Sequence, residues 1–223
     1  MEASGNKTLL RKIVASAATA AVLWFIMFSP ITAPHVPFWG MMAFSSAVLL
    51  VLSFTLFRQW CRGLRFSPGQ IALGLALAAA LWGIFWVGDK LSSAMFTFAR
   101  PQVDTIYALK SGTAKWLLAA QLLLLTGPAE EIFWRGCLQR HIADYLQEKR
   151  GGKGNPRLVA AIITLLVYTL VHLPSLNFML IMAAAVAGGV WGLLYYLKPQ
   201  WLPALIVSHA VWDTAVFVIF PIM

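Results

Sequence analysis

The chain has 223 residues, of which 60% are hydrophobic and only 11% charged, and its mean hydropathy is +0.76. Soluble domains are about half apolar and about a quarter charged, so a water-soluble fold, a disordered chain, a fibrous repeat and a secreted disulfide scaffold are excluded and a polytopic membrane protein remains. The formal net charge of +9 sits in short gaps between apolar runs, a placement that sets membrane orientation and argues against nucleic acid as a partner.

A hydrocarbon layer of roughly 30 Å needs about 20 apolar residues per crossing helix. In chain order the apolar runs fall at 13–33, 38–57, 71–88, 116–139, 158–173, 178–197 and 202–221, without the alternation of barrel strands. The expectation is therefore an all-α, multi-pass bundle of seven transmembrane helices. The stretch 89–115 is mixed in polarity and reads as an interfacial helix or a short re-entrant piece, which would make an eighth embedded helix. Residues 1–115 form N-terminal spans with this amphipathic connection, and 116–223 form a core that carries the polar groups, within one integral membrane domain. The first apolar run exceeds a signal-peptide core and lacks a small-residue cleavage site, so it reads as a retained span.

Basic residues alternate from gap to gap. Lys7, Arg11 and Lys12 lead, followed by Arg58, Arg62 and Arg65, then by Arg140, Lys149, Arg150, Lys153 and Arg157, with Lys198 alone. The loops around 34–37 and 174–177 carry no Lys or Arg. Only 89–115 breaks the pattern, with Lys90, Arg100, Lys110 and Lys115 partly offset by Asp89 and Asp104. The N-terminus is expected in the cytoplasm and the C-terminus outside, in a bacterial or archaeal cytoplasmic membrane. Trp24, Trp39, Trp60, Trp116 and Trp201 lie near span ends and read as interfacial anchors. Cys61 and Cys137, both beside basic segments, read as small apolar fillers outside any disulfide. Gly188 and Gly192 form a GxxxG pair in the sixth span, read as internal helix packing ahead of dimerisation.

Charged groups inside hydrocarbon cost about 2.5–3.5 kcal/mol each on insertion scales and default to a functional reading. Three clusters qualify. In the fourth span, Gly127 and Pro128 interrupt the helical ladder before Glu130 and Glu131, and Glu131 stands four residues before Arg135, the spacing of an intrahelical ion pair. Glu130 points about 100° away without that partner, which suits a general base. The plainer reading puts both acids on the cytoplasmic rim. In the fifth span Tyr168 and His172 share a face, as a catalytic or a packing pair. In the seventh, His209 and Asp213 share a face, either a structural pair or one in which Asp213 takes one ring proton and leaves the other nitrogen for the reaction.

These residues resemble the type II CAAX-protease family, also called CPBP or Abi proteins, whose core helices carry EExxxR, FxxxH and HxxxN or HxxxD in that order. Here they read Glu130-Glu131 to Arg135, Tyr168 to His172, and His209 to Asp213, over roughly 116–217. Gly136, the small residues of Ala184–Gly192 and Leu202-Pro203-Ala204 are similar to the family as well. The resemblance implies an intramembrane endopeptidase acting on a membrane-associated protein or peptide. It implies that Glu130 and His172 hold and deprotonate a water, that His209 with Asp213 stabilises the oxyanion, and that Glu131 with Arg135 organises the helix. Tyr168 replaces the usual Phe. Asp213 replaces the Asn of the prenyl-protein proteases, and an ionised Asp cannot donate a hydrogen bond.

The set Glu, His, His, Asp could also ligate zinc, yet no HExxH helix forces a metal, and the metal-free glutamic mechanism without a cofactor is the expectation. Competing classes are a non-catalytic immunity or scaffold protein and a proton-coupled transporter. The N-terminal half has no counterpart of the polar clusters, against the paired halves common in transporters.

Overall fold

The computed structural model describes residues 2–57, 64–150 and 153–222. Arg58, Trp60, Cys61 and Arg62 lie outside the described residues, so the readings attached to them stand as expectations. The described chain contains helices and no strand. Helix α1 is Glu2–Phe28, α2 Phe38–Leu56, α3 Pro68–Met95 and α4 Ala99–Ala108. One unbroken helical rod then spans 115–150: α5 (Lys115–Gln121), a π-helical stretch (Leu122–Thr126), α6 (Gly127–Glu131), a second π-helical stretch (Ile132–Gln139) and α7 (Arg140–Arg150). Helices α8 (Pro156–Leu170), α9 (Phe178–Leu197) and α10 (Leu202–Thr214) complete the bundle, the last continuing as a π-helical end, Ala215–Ile219.

Local chemistry sets the boundaries. The Ser67 hydroxyl accepts from the Gln70 amide at 3.3 Å, with Pro68 opening α3. Asn155 and Asn177 cap α8 and α9 by accepting from the amides of Leu158 at 3.0 Å and Leu180 at 2.9 Å. Such caps satisfy amides that the first helical turn leaves without partners. The first span, expected to run to 33, stops at Phe28. Pro30 has no amide proton and disfavours helix at Ser29, so the chain turns and makes only a short 3₁₀ turn, Ala33–His35.

Six helices are long and apolar enough to cross a membrane among the described residues, and the protein is an integral, multi-pass membrane protein. The rod 115–150 occupies the place expected for the fourth span. Its register changes accommodate Pro128: instead of an interruption before the acids, the ladder loosens over Leu122–Thr126 and resumes as α6. The 89–115 stretch divides into the end of α3 and the helix α4, which packs against both α3 and α9.

Hydrogen bonds between elements define the two ends of the bundle. At one end Lys12 reaches the carbonyl of Leu56 at 3.5 Å, Gln70 that of Gln200 at 3.2 Å and Arg157 that of Tyr196 at 2.8 Å. At the other, Trp39 donates to the Leu109 carbonyl at 2.9 Å, Lys110 to that of Phe217 at 3.1 Å and Trp82 to that of Phe220 at 2.9 Å. Trp24 and Trp39 are therefore not interfacial anchors: Trp24 is fully buried and Trp39 nearly so. Trp116, 73% exposed, does suit an interfacial place.

Helix α10 is almost entirely buried, between α3 and α6. Glycine makes this possible, since a Cβ on Gly127 would stand 2.6 Å from the Cα of Ala210. Gly188 serves α9 in the same way, with a Cβ position 2.6 Å from the Tyr168 ring, so the GxxxG pair serves internal packing. Gly127→Ala should accordingly cost about 1–3 kcal/mol through overpacking, whereas Gly83→Ala, which meets open space, should leave stability unchanged. Thermal unfolding of the two variants in detergent checks this.

Candidate active site

The three polar clusters converge. Glu130 and Glu131 come from α6, Tyr168 from α8, His172 from just beyond its end, and His209 and Asp213 from α10. All six are buried. Glu130, Tyr168, His172, His209 and Asp213 line one cavity of about 300 Å³, whose remaining walls are mostly apolar, with Phe28, Phe85 and Trp212 among them, and also include Asp89, Thr126 and Tyr107.

Glu131 is the hub. Its Oε1 accepts from Arg135 Nη1 at 2.8 Å, the pair expected from the spacing of four, and from His209 Nδ1, also at 2.8 Å. The second contact joins residues 78 apart and was not foreseen. Arg135 also donates from Nη2 to the Gly188 carbonyl at 3.0 Å, and its guanidinium lies over the rings of Tyr168 and Trp191. Trp191 stacks on His209 with centroids 3.9 Å apart and is itself held by donating to Ser208.

His209 meets a carboxylate at each nitrogen, since Nε2 stands 3.4 Å from Asp213 Oδ2. It satisfies both only when both nitrogens carry protons. The expected division, with Asp213 on one nitrogen and the other left free, is thus corrected: Glu131 occupies the second nitrogen. The longer contact to Asp213 is the one on the cavity side, because Asp213 lines the cavity and Glu131 does not.

Glu130 has a different environment. Its Oε2 accepts from the Tyr168 hydroxyl at 3.1 Å, a bond available because Tyr stands where Phe is usual. His172 is clamped at both nitrogens. Trp24 Nε1 donates to its Nε2 at 3.2 Å, and its Nδ1 is 2.7 Å from the Tyr168 carbonyl. An indole N–H is only a donor, so Nε2 accepts, and the ring proton lies on Nδ1. Trp24 was missed as a site residue because it lies 148 positions from His172, and nothing in an apolar α1 marks one tryptophan as turned inward. It packs edge-on against Trp134 as well.

A zinc ion would need free lone pairs on these rings. The His172 lone pair is taken by Trp24 and both His209 nitrogens face carboxylates, so the donor set as arranged does not fit one. No group of three His, Cys, Asp or Glu side chains among the described residues is placed to hold a metal.

Two consequences are measurable. Trp24→Phe keeps an aromatic ring but removes the donor and leaves a small void, so cleavage should slow by about tenfold, the value of one neutral hydrogen bond, with a modest fall in thermal stability. Glu131→Gln removes the anion between two buried cations, which typically costs about 3–5 kcal/mol. Its yield of folded protein in detergent should fall well below that of Glu130→Gln.

The family model described as type II CAAX prenyl endopeptidase, Rce1-like, matches residues 112–215, a stretch that contains every motif residue. No curated protein and no solved structure matches the chain.

Proposed function

We propose that the protein is an intramembrane glutamic-type endopeptidase that cleaves a membrane-associated protein or peptide, a reading supported by the match of residues 112–215 to the Rce1-like type II CAAX prenyl endopeptidase family. The observation that carries the reading is one cavity in which a carboxylate without a cationic partner faces a histidine ion-paired through both nitrogens. A structural scaffold has no need to bury both in a hollow.

Glu130 is the proposed base. It takes a proton from a water whose oxygen adds to the scissile carbonyl carbon, and it returns that proton to the leaving amine as the carbon–nitrogen bond breaks. The oxyanion formed on addition takes the Nε2–H of His209 in place of the long contact to Asp213, while Glu131 keeps the ring oriented from Nδ1. Tyr168 fixes Glu130. His172, held by Trp24 and by the Tyr168 carbonyl, borders the water site. Arg135 neutralises Glu131. In this mechanism the fourth-span acids serve separate ends, one for proton transfer and one for architecture, and residues 116–223 form the catalytic part. No metal takes part in these steps, and no cofactor is required.

Glu130→Gln should abolish proteolysis with insertion and folding retained. Near-wild-type cleavage by that variant, measured on a reconstituted substrate under single-turnover conditions, would overturn the assignment. Chelation should leave activity intact, and elemental analysis that finds one tightly bound zinc per chain, lost together with activity, would contradict the mechanism.

Asp213 gives the finer test. Asp213→Asn should keep measurable activity, since an amide can both contact His209 and donate to the oxyanion. Asp213→Ala should lose about 10²–10³ in rate. Equal rates for Asp213→Ala and wild type would make Asp213 structural.

A further inference from the structure

We infer that the catalytic cavity opens into the extracytoplasmic half of the membrane, so that the substrate is an exported, membrane-anchored peptide and not a lipidated protein held on the cytoplasmic leaflet. The inference rests on the proteolytic reading for the word substrate, but its geometry does not.

The cavity lies in one half of the bundle. Phe28 ends α1, Phe38 and Trp39 begin α2, and Phe85 belongs to the last part of α3. Tyr168 and His172 come from the far end of α8, and Met179 from the start of α9. These positions share the end marked by the Trp39–Leu109 and Lys110–Phe217 hydrogen bonds. There α4 closes over the hollow, lining it with Val103, Ile106 and Tyr107. It is tied to α3 by Arg100 to Asp89 at 3.3 Å and to α9 by Asn177 to the Gln102 carbonyl at 2.9 Å.

The floor faces the opposite end and is sealed. Below Glu131 stand Phe133, Trp134, Arg135 and Leu138, each at most 1% exposed, and Gln139, which donates to the Gly192 carbonyl at 3.0 Å. The separate pocket at that end, bordered by Arg140, Arg157 and Tyr196, shares no residue with the catalytic cavity. A side opening exists instead. Ile84 and Gly88 of α3 and Val186 of α9 line the cavity and are also exposed on the outer surface of the bundle.

Charge distinguishes the two ends. Lys7, Arg11 and Lys12 are in the first turns of α1, Arg65 precedes α3, and Arg140 and Lys149 lie on α7. Lys153 and Arg157 flank the start of α8, and Lys198 follows α9. All belong to the sealed end. The cavity end has Lys90, Arg100, Lys110 and Lys115, with Asp89 and Asp104 ion-paired to Arg100. Short loops rich in Lys and Arg remain cytoplasmic, so the sealed floor faces the cytoplasm. A peptide at the cytoplasmic surface would meet the basic end and the closed floor. One anchored in the outer leaflet reaches the side opening directly, and its carbonyl then descends to Glu130.

The test is side-specific labelling of the full chain in a background of Cys61→Ser and Cys137→Ala. Val103→Cys in the cavity roof and Ser111→Cys in the loop after α4 are compared with Lys153→Cys, using a membrane-impermeant maleimide on right-side-out and inverted vesicles. We expect Val103→Cys and Ser111→Cys to label at least tenfold more in right-side-out vesicles, and Lys153→Cys at least tenfold more in inverted ones. The reverse pattern, or labelling of Val103→Cys from the Lys153 side, overturns the inference. A quenched lipopeptide added to proteoliposomes of known orientation provides the second arm. Cleavage confined to the side where Ser111→Cys labels supports the substrate class, and cleavage confined to the other side refutes it. Correct labelling with no cleavage of any peptide from either side counts against the protease reading and leaves the orientation standing.

Discussion

A carboxylate with no solvent exposure, Glu131, holds this bundle together. An isolated ion in that setting would be untenable, since moving a carboxylate out of water costs several kcal/mol even after relaxation. Its Oε1 therefore receives two cationic donors, Arg135 from the same helix and His209 from α10. Arg135 in turn reaches the backbone of α9 at Gly188. One oxygen atom thus sets the mutual position of the rod, α9 and α10. The other features of the site follow, because His209 can face the cavity only if something on its far side holds it.

This arrangement divides the site electrostatically. Glu131, Arg135, His209 and Asp213 form a charged string with alternating sign. Glu130, Tyr168, His172 and Trp24 form a second set of groups joined by hydrogen bonds without a fixed cation. The two meet across the hollow. A reaction that creates an oxyanion on one side and moves a proton on the other calls for such an asymmetry. Asp213 stands where the two sets meet, since it lies close to His209 yet borders the space a substrate would fill.

The first four helices contribute more than anchoring. The family match begins at residue 112, yet the cavity takes walls from Phe28, Trp39, Phe85 and Tyr107, and His172 takes its donor from Trp24. On the proposed reading, residues after 112 provide the reacting groups, and those before it shape what can reach them. Helix α4 belongs to that enclosure, and its ion pair to Asp89 places a polar latch on an otherwise apolar opening.

The amino-acid sequence by itself determined the membrane class, the helical count to within the 115–150 rod, the alternation of charge and the identity of the polar residues that converge. Each of these depends on local properties: run length, composition, and spacings of four that place side chains on one helix face, as for Glu131 with Arg135 and His209 with Asp213. Only the tertiary structure decided the rest. Which nitrogen of His209 is occupied depends on how closely α10 approaches α6, and that depends on Gly127. Whether Trp24 anchors a helix at the interface or clamps a histidine depends on the rotation of α1, which a run apolar on every side does not specify. Glu130 and His172 meet for a similar reason: α8 ends at Leu170, and the π-helical turns around α6 set the acids opposite it. Long-range contact in a membrane is chosen by shape and by the few polar partners available, and neither is written in any one segment.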